Sequence, residues 1–109
     1  MKHSEALKAA KAVIANPENW TQGWYYKYKN GTSCKRYEDA ECFCSLGALR
    51  KVNDCYDDYY LNGTLYLDLA LETLNVKAGS VFIFNDTHSH AEVMALFDKA
   101  IELAEKEGE

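Results

Sequence analysis

Cys44 and a polar segment near residue 85 contain the residue types of a nucleophilic catalytic site. Cys44 lies near the expected start of a helix, and Asn85, Asp86, His88 and His90 follow in a later loop. A thiol nucleophile needs a base and a group that orients the base, and this loop supplies imidazole, amide and carboxylate groups for both roles. The acidic residues just before Cys44 oppose the lowered pKa that a reactive thiol requires, and most buried cysteines act as small hydrophobic side chains. A cysteine-dependent hydrolase or transferase is therefore our alternative function, not the first.

The chain also contains the residue types of a zinc site. Its four cysteines are Cys34, Cys42, Cys44 and Cys55. Structural zinc sites usually present paired ligands two to four residues apart, whereas a single residue separates the only close cysteine pair here. We predict no metal ligand and no cofactor.

The 85–86 dipeptide precedes a capped helix and offers a second kind of site. Backbone amides at a helix start can receive an anion, although Asn85 and Asp86 can equally satisfy the turn with their own side chains. If the loop lies beside Trp20 and Gln22, an aromatic wall and amide groups would together form a small-ligand site.

Tryptophan and tyrosine are concentrated at residues 20–28 and 56–60. These side chains are enriched in interface hot spots, which favours an interaction surface. The alternative is that they pair across strands and cover the edge of the core. The predicted binding residues are Trp20, Gln22, Trp24, Tyr25, Tyr59, Tyr60, Asn85 and Asp86.

The segment Cys42–Leu49 predicts the central buried helix, against which the other elements pack. Gly47 and Ala48 indicate a close approach by a neighbouring segment. Acidic residues precede the segment and Arg50 and Lys51 follow it, which matches the helix dipole.

Two segments before the predicted central helix have recognisable patterns. Ser4 is predicted to cap a helix that ends at Asn16-Pro17. Asn30-Gly31 predicts a type I′ turn that joins strands at Gly23–Lys29 and Thr32–Tyr37.

The second half of the chain is mainly helical by its pattern. A third helix is predicted from Asn62 to about Asn75, after a loop at Cys55–Leu61. Val81–Phe84 is either a short buried strand or an irregular passage. Ser89 and Glu92 form a capping-box pattern that opens the last helix. We predict a single α+β domain over residues 1–109, mostly helical, with about four helices and one small antiparallel hairpin.

Length, composition and charge limit the class of protein. The chain has 109 residues, 48% of them hydrophobic, and a net charge of -5. This composition favours a folded domain, and the acidic balance makes nucleic acid or an anionic membrane a poor partner. No signal-peptide pattern or membrane-length apolar run is found, so we expect a cytoplasmic protein with free thiols.

Several motifs resemble those of a family of small actinobacterial and phage-encoded proteins classed as a domain of unknown function. The resemblance rests on Trp20-Thr21-Gln22-Gly23, on Cys42-x-Cys44-Ser45-Leu46-Gly47-Ala48-Leu49, and on Phe84-Asn85-Asp86 followed by Glu92-Val93. Such proteins usually carry tryptophan where Phe84 stands, and lack the tyrosine-rich 55–60 insert. The resemblance implies a shared fold and no particular activity.

We therefore expect a small, acidic, non-enzymatic binding module, encoded by a phage, whose aromatic surface engages and blocks a host protein or a small ligand. Self-association stays open. A weaker third hypothesis is an acidic mimic of nucleic acid, for which a net charge of -5 is small.

Overall fold

Five helices and one short antiparallel sheet make up the regular structure of residues 1–109 in the computed structural model. The helices are α1 (His3–Ile14), α2 (Ser45–Asn53), α3 (Thr64–Thr73), α4 (Val81–Thr87) and α5 (His90–Lys106), and the strands are β1 (Tyr26–Lys27) and β2 (Cys42–Phe43). The predicted α+β class with one small antiparallel pairing is confirmed, with five helices in place of four. None of the helices is long and apolar enough to cross a membrane.

The core lies between α1, α2, α3 and α5. The helix α1 packs against α2 on one side and α5 on the other, and α3 packs against α5. Leu7, Leu49, Leu67 and Phe97 contribute fully buried side chains from these four helices. Removing such apolar surface from water is the main favourable term in folding, so this layer stabilises the whole chain.

The start of α1 differs from the sequence prediction. The helix begins at His3, and Ser4 lies buried in its first turn instead of capping it. His3 Nδ1 accepts a hydrogen bond from the Gly63 amide at 2.9 Å, which fixes the beginning of α1 against the beginning of α3. A tertiary contact therefore takes the place of the local cap.

The predicted central helix begins three residues later than expected. Cys42 and Phe43 form β2, and Cys44 occupies the N-cap position of α2, where its Sγ accepts from the Gly47 amide at 3.3 Å. The reason is strand pairing: Phe43 lies opposite Tyr26, and the Cys44 amide donates to the Tyr25 carbonyl oxygen at 3.1 Å.

The close approach predicted in this segment is confirmed at Gly47. A Cβ atom placed on Gly47 would lie 2.2 Å from the backbone oxygen of Tyr25. Carbon and oxygen cannot approach so closely, so only glycine lets the chain before β1 lie directly on α2.

The predicted hairpin forms only at its tip. The Tyr28 amide donates to the Thr32 carbonyl oxygen at 2.9 Å, but only Gly31 has a positive φ, so the turn is not type I′. The regular partner of β1 is β2, while Ser33 contributes a single bridge to Lys27. The distant strand is preferred because it brings the buried Phe43 ring against Tyr26.

Val81–Phe84 is helical, which corrects both sequence alternatives. Ser80 caps α4 by accepting from the Ile83 amide at 3.1 Å. Val81 and Phe84 are buried while Ile83 is about half exposed, so the segment is a one-sided helix. Four apolar residues are too few to show a 3.6-residue period.

The capping box at the start of α5 is confirmed. The Glu92 amide donates to Ser89 Oγ at 3.2 Å, and the Ser89 amide donates to Glu92 Oε1 at 2.9 Å. The backbone bond also lowers the pKa of Glu92, because it favours the charged carboxylate.

Replacing Gly47 by alanine tests the contact between the Tyr25 backbone and α2. Alanine in place of glycine normally stabilises a helix interior by about 1 kcal/mol. Here we expect Gly47→Ala to lower the free energy of unfolding by about 3 kcal/mol, because the added methyl group meets a backbone carbonyl that cannot move without disturbing β1. Urea-induced unfolding measures the change, and a stabilised variant would show that the contact is absent.

Candidate functional site

The structure divides the predicted site residues into two groups. Trp20, Gln22, Asn85 and Asp86 meet where the chain after α1 crosses the end of α4. The others, Trp24, Tyr25, Tyr59 and Tyr60, lie around an ion pair at the end of α2. Tyr25 contacts both members of that ion pair, Trp24 contacts Tyr25, and Tyr59 and Tyr60 directly follow the aspartate of the pair in sequence.

The side chain of Asn85 is the centre of the first group. Its Oδ1 accepts hydrogen bonds from Trp20 Nε1 at 2.9 Å, the Ser45 amide at 3.0 Å and Ser45 Oγ at 2.7 Å. Its Nδ2 donates to the Thr21 carbonyl oxygen at 3.0 Å. Asn85 is fully buried, so both ends of its amide are used within the protein.

Gln22 and Asp86 extend this arrangement at its outer side. Gln22 Nε2 donates to the carbonyl oxygens of Asn85 and His88, each at 3.0 Å. Asp86 Oδ1 accepts from the Gly23 amide at 2.9 Å. These hydrogen bonds connect the chain after α1 to α4, and a ligand could reach the same groups only by replacing them. The first group therefore acts as a structural joint between these two segments.

The two candidate histidines are held by backbone carbonyls. His90 Nε2 donates to the Ile14 carbonyl oxygen at 2.7 Å, and its ring lies 5.5 Å from that of Trp20. The His88 ring stacks on Phe84 at 3.9 Å, with Nδ1 at 3.1 Å from the Phe84 carbonyl oxygen.

Cys44 lies in the core, and its sulfur bonds the Gly47 amide rather than an imidazole. Burial raises the pKa of the Cys44 thiol to about 11, although the Gly47 and Leu46 amides act in the opposite direction. The nucleophilic form of cysteine is the thiolate, which is scarce at neutral pH at such a pKa. The arrangement gives no support to the cysteine-dependent enzyme.

The four cysteines are all unpaired. No group of three or more histidine, cysteine, aspartate or glutamate side chains comes together in a way that could hold a metal ion.

An ion pair organises the second group. Arg50, in the last turn of α2, donates from Nε to Asp58 Oδ1 at 2.6 Å and from its terminal nitrogen to Oδ2 at 3.1 Å. Its guanidinium also lies 3.7 Å from the ring centre of Tyr25, whose hydroxyl donates to Asp58 at 3.3 Å. Burial lowers the pKa of Arg50, but the bonds to Asp58 and Tyr26 outweigh it and the net pKa is raised, so the charge is permanent.

Asp58 belongs to a segment, residues 54–61, that we call the tyrosine loop. Asn53 and Asn62 close its base: Asn53 Nδ2 donates to the Asn62 carbonyl oxygen at 3.2 Å, and the Asn62 amide donates to Asn53 Oδ1 at 3.1 Å. Asp57 caps the 3-10 turn of the loop by accepting from the Tyr59 amide at 3.0 Å. Leu61 anchors the end of the loop in the core.

Tyr59 and Tyr60 project from this loop into solvent. Tyr59 is 87% exposed and Tyr60 is 71% exposed, and their rings meet edge to face with centroids 5.1 Å apart. Trp24 is also partly exposed, and its ring contacts that of Tyr25 with 5.5 Å between ring centres. By contrast, Tyr26 and Tyr37 are buried, so the tyrosines serve both the core and the surface.

Tyr56 joins the tyrosine loop to the segment before β2. Its ring stacks on Tyr37 at 4.4 Å and its hydroxyl donates to Glu38 at 3.1 Å. Tyr37 donates to Asp54, a hydrogen bond that raises the pKa of the Tyr37 hydroxyl.

The residues that fix the tyrosine loop were missed by the sequence reasoning. From sequence, Arg50 is a charge at a helix end and Asp58 lies in the predicted loop at Cys55–Leu61. Arg50 and Asp58 are eight positions apart and the chain changes direction between them, so no local sequence pattern predicts that they pair. Tyrosines beside aspartates in the 56–60 segment were the only available indication.

The chain belongs to a family of unknown function, DUF6197, whose family model matches residues 1–103. No curated protein and no solved structure matches the chain significantly. The sequence resemblance to a domain of unknown function is thereby confirmed, and the three motifs that carry it meet around Asn85.

Truncating Asn85 tests the structural role of the first group. We expect Asn85→Ala to lower the free energy of unfolding by about 3 kcal/mol, because it leaves buried donors on Trp20 and Ser45 without an acceptor. The control is Asn19→Ala, whose side chain makes no hydrogen bond and which we expect to change stability by less than about 0.5 kcal/mol. Equal urea midpoints for the two variants would contradict the role of Asn85.

Alkylation rates test the state of Cys44. With iodoacetamide at neutral pH, we expect the half-buried Cys55 to react first and the buried Cys44 last, because burial removes both access and thiolate. Peptide mass spectrometry gives the rate at each site, and labelling in urea should make the four rates similar. Fastest labelling at Cys44 in the native protein would instead indicate an activated nucleophile.

Proposed function

We propose, for this member of a family without an assigned function, that the chain is a non-enzymatic binding module that engages a partner protein through Tyr59 and Tyr60. The observation that carries the proposal is the exposure of these two adjacent rings on a loop that is fixed at three points. We call these two rings, with the exposed Tyr56 of the same loop, the aromatic surface.

The stability of the fold gives no reason for two exposed tyrosines. Burial of a large ring stabilises a protein because apolar area leaves water, and Tyr59 and Tyr60 remain mostly in water. Exposed apolar patches on small soluble proteins often mark interaction sites, and tyrosine is enriched among the residues that dominate binding energy. A partner that covers both rings supplies the missing burial.

The fixed shape of the tyrosine loop also favours binding. Its base is closed by Asn53 and Asn62, its middle is held by Arg50, and its end is buried at Leu61. Ordering a mobile loop on association opposes binding, and a loop that is already ordered avoids most of that cost. The polar bonds of Asp57 and Asp58 thus position the rings while both stay largely exposed.

Blocking of the partner is the proposed consequence of binding. The resemblance to phage-encoded proteins suggests that the chain is encoded by a phage, and the partner is then a host protein. We place the interaction in the cytoplasm, because unpaired cysteines such as those of this chain are maintained there. A small ligand at the first group is less well supported, because the Asn85 amide is fully used within the fold.

The double variant Tyr59→Ala/Tyr60→Ala tests the proposal. Immobilised wild-type protein is used to capture proteins from a lysate of the native host, and the captured protein is identified, purified and titrated. We expect the double variant to bind it at least about tenfold more weakly, since hot-spot residues cost more than about 1 kcal/mol each when truncated. Its free energy of unfolding should change by less than about 1 kcal/mol, because neither ring is packed in the core.

Leu65→Ala/Ile83→Ala is the matched control. Both side chains are exposed and apolar but lie on α3 and α4, outside the aromatic surface. The control should bind like the wild type. Equal affinity for the tyrosine variant and the control, or no stoichiometric partner at all, would refute the proposal.

A further inference from the structure

We infer that the partner presents a basic segment, in which arginine or lysine side chains lie against Tyr59 and Tyr60 while carboxylates of the tyrosine loop face their charge. The inference rests on the proposed function, since it identifies the chemistry of the partner at the same aromatic surface. Three observations carry it.

The first observation is the charge of the region that presents the rings. From Val52 to Val76 the sequence contains no lysine or arginine, and its acidic residues are Asp54, Asp57, Asp58, Asp68 and Glu72. Asp54 and Asp57 precede the exposed tyrosines in the tyrosine loop, and both are exposed. A surface of one sign attracts the opposite sign and raises the association rate of a suitable partner.

The second observation is that Arg50, the cation bonded to the tyrosine loop, is already paired within the protein. Arg50 donates to both oxygens of Asp58 and to the Tyr26 hydroxyl at 3.3 Å, and its side chain is largely buried. It therefore neutralises Asp58 alone. Asp54 and Asp57 have no cationic partner within the chain, so their charge is open to a partner.

The third observation is an internal example of the recognition that we propose. The Arg50 guanidinium lies 3.7 Å from the centre of the Tyr25 ring while it bonds the carboxylate of Asp58. A cation above a tyrosine face is attracted by the π electrons, and a nearby carboxylate adds to the attraction. Tyr59 and Tyr60, with rings at 83° to each other, offer the same combination to solvent beside Asp57.

The same charges disfavour two other occupants. A nucleic acid would bring phosphates against Asp54 and Asp57 with no free basic residue in the loop to meet them. In a symmetric dimer through this surface, each tyrosine loop would face its own copy and the like charges would repel. A basic protein segment avoids both difficulties.

Selection from a random displayed peptide library tests the inference. The library is selected on the wild-type protein after removal of sequences that bind Tyr59→Ala/Tyr60→Ala. We expect the remaining peptides to be enriched in arginine and lysine relative to the library, and their binding to weaken as salt is raised, because the charges are exposed and screened.

A charge-removing variant tests the carboxylates directly. Asp54→Asn/Asp57→Asn keeps the backbone, because asparagine tolerates the positive φ at residue 54 and can cap the turn at residue 57 as aspartate does. We expect the selected peptides to bind this variant about three- to tenfold more weakly, as two exposed ion pairs would predict. Glu5→Gln/Glu18→Gln, which removes two exposed charges in α1 and shortly after it, outside this acidic region, should leave the affinity unchanged.

The outcomes separate this inference from the function on which it rests. Peptides that require the tyrosines but show no basic enrichment, or that bind the asparagine variant as tightly as the wild type, would overturn the inference and leave the binding module intact. If no peptide depends on Tyr59 and Tyr60, both the inference and the proposed function fail.

Discussion

One buried amide, the side chain of Asn85, holds together three parts of the chain that are far apart in sequence. It accepts from Trp20 and from Ser45, and it donates to the backbone of Thr21. The segment after α1, the first residue of α2 and the helix α4 therefore have one relative position in which no buried donor is left unpaired. Because an unsatisfied buried polar group costs far more than a single hydrogen bond contributes, such a group specifies geometry more than it adds stability.

This joint determines where the rest of the structure can lie. With Trp20 and Thr21 fixed on α4, the following strand passes over α2, and the Tyr25 carbonyl meets the bare backbone of Gly47. That contact brings the Tyr25 ring to Arg50 at the far end of α2, where the guanidinium binds Asp58. The exposed tyrosines are thus positioned by a succession of contacts that begins in the core, and the tyrosine loop is already ordered in the folded chain.

Much of the fold could be predicted from local patterns. The last helix with its capping box and the close approach at Gly47 both follow from neighbouring residues. The errors fall where distant contacts outweigh local preference. Cys42 and Phe43 pair with β1 instead of joining the helix, and Val81–Phe84 is helical because one of its faces meets the core. For the first group, sequence offered only the conditional expectation that the 85–86 segment lies beside Trp20 and Gln22, because these residues are more than sixty positions apart.

By itself, the sequence determined the α+β class, the acidic charge, the family resemblance and the concentration of aromatic residues at 20–28 and 56–60. Only the tertiary structure decided how those residues are used. It buries Cys44 and Asn85 among packed side chains, and it leaves Tyr59 and Tyr60 in solvent. The physical reason is that burial and hydrogen-bond partners are properties of contacts between segments. The same motif residues can bind a ligand or close a joint, depending on what the rest of the chain places against them.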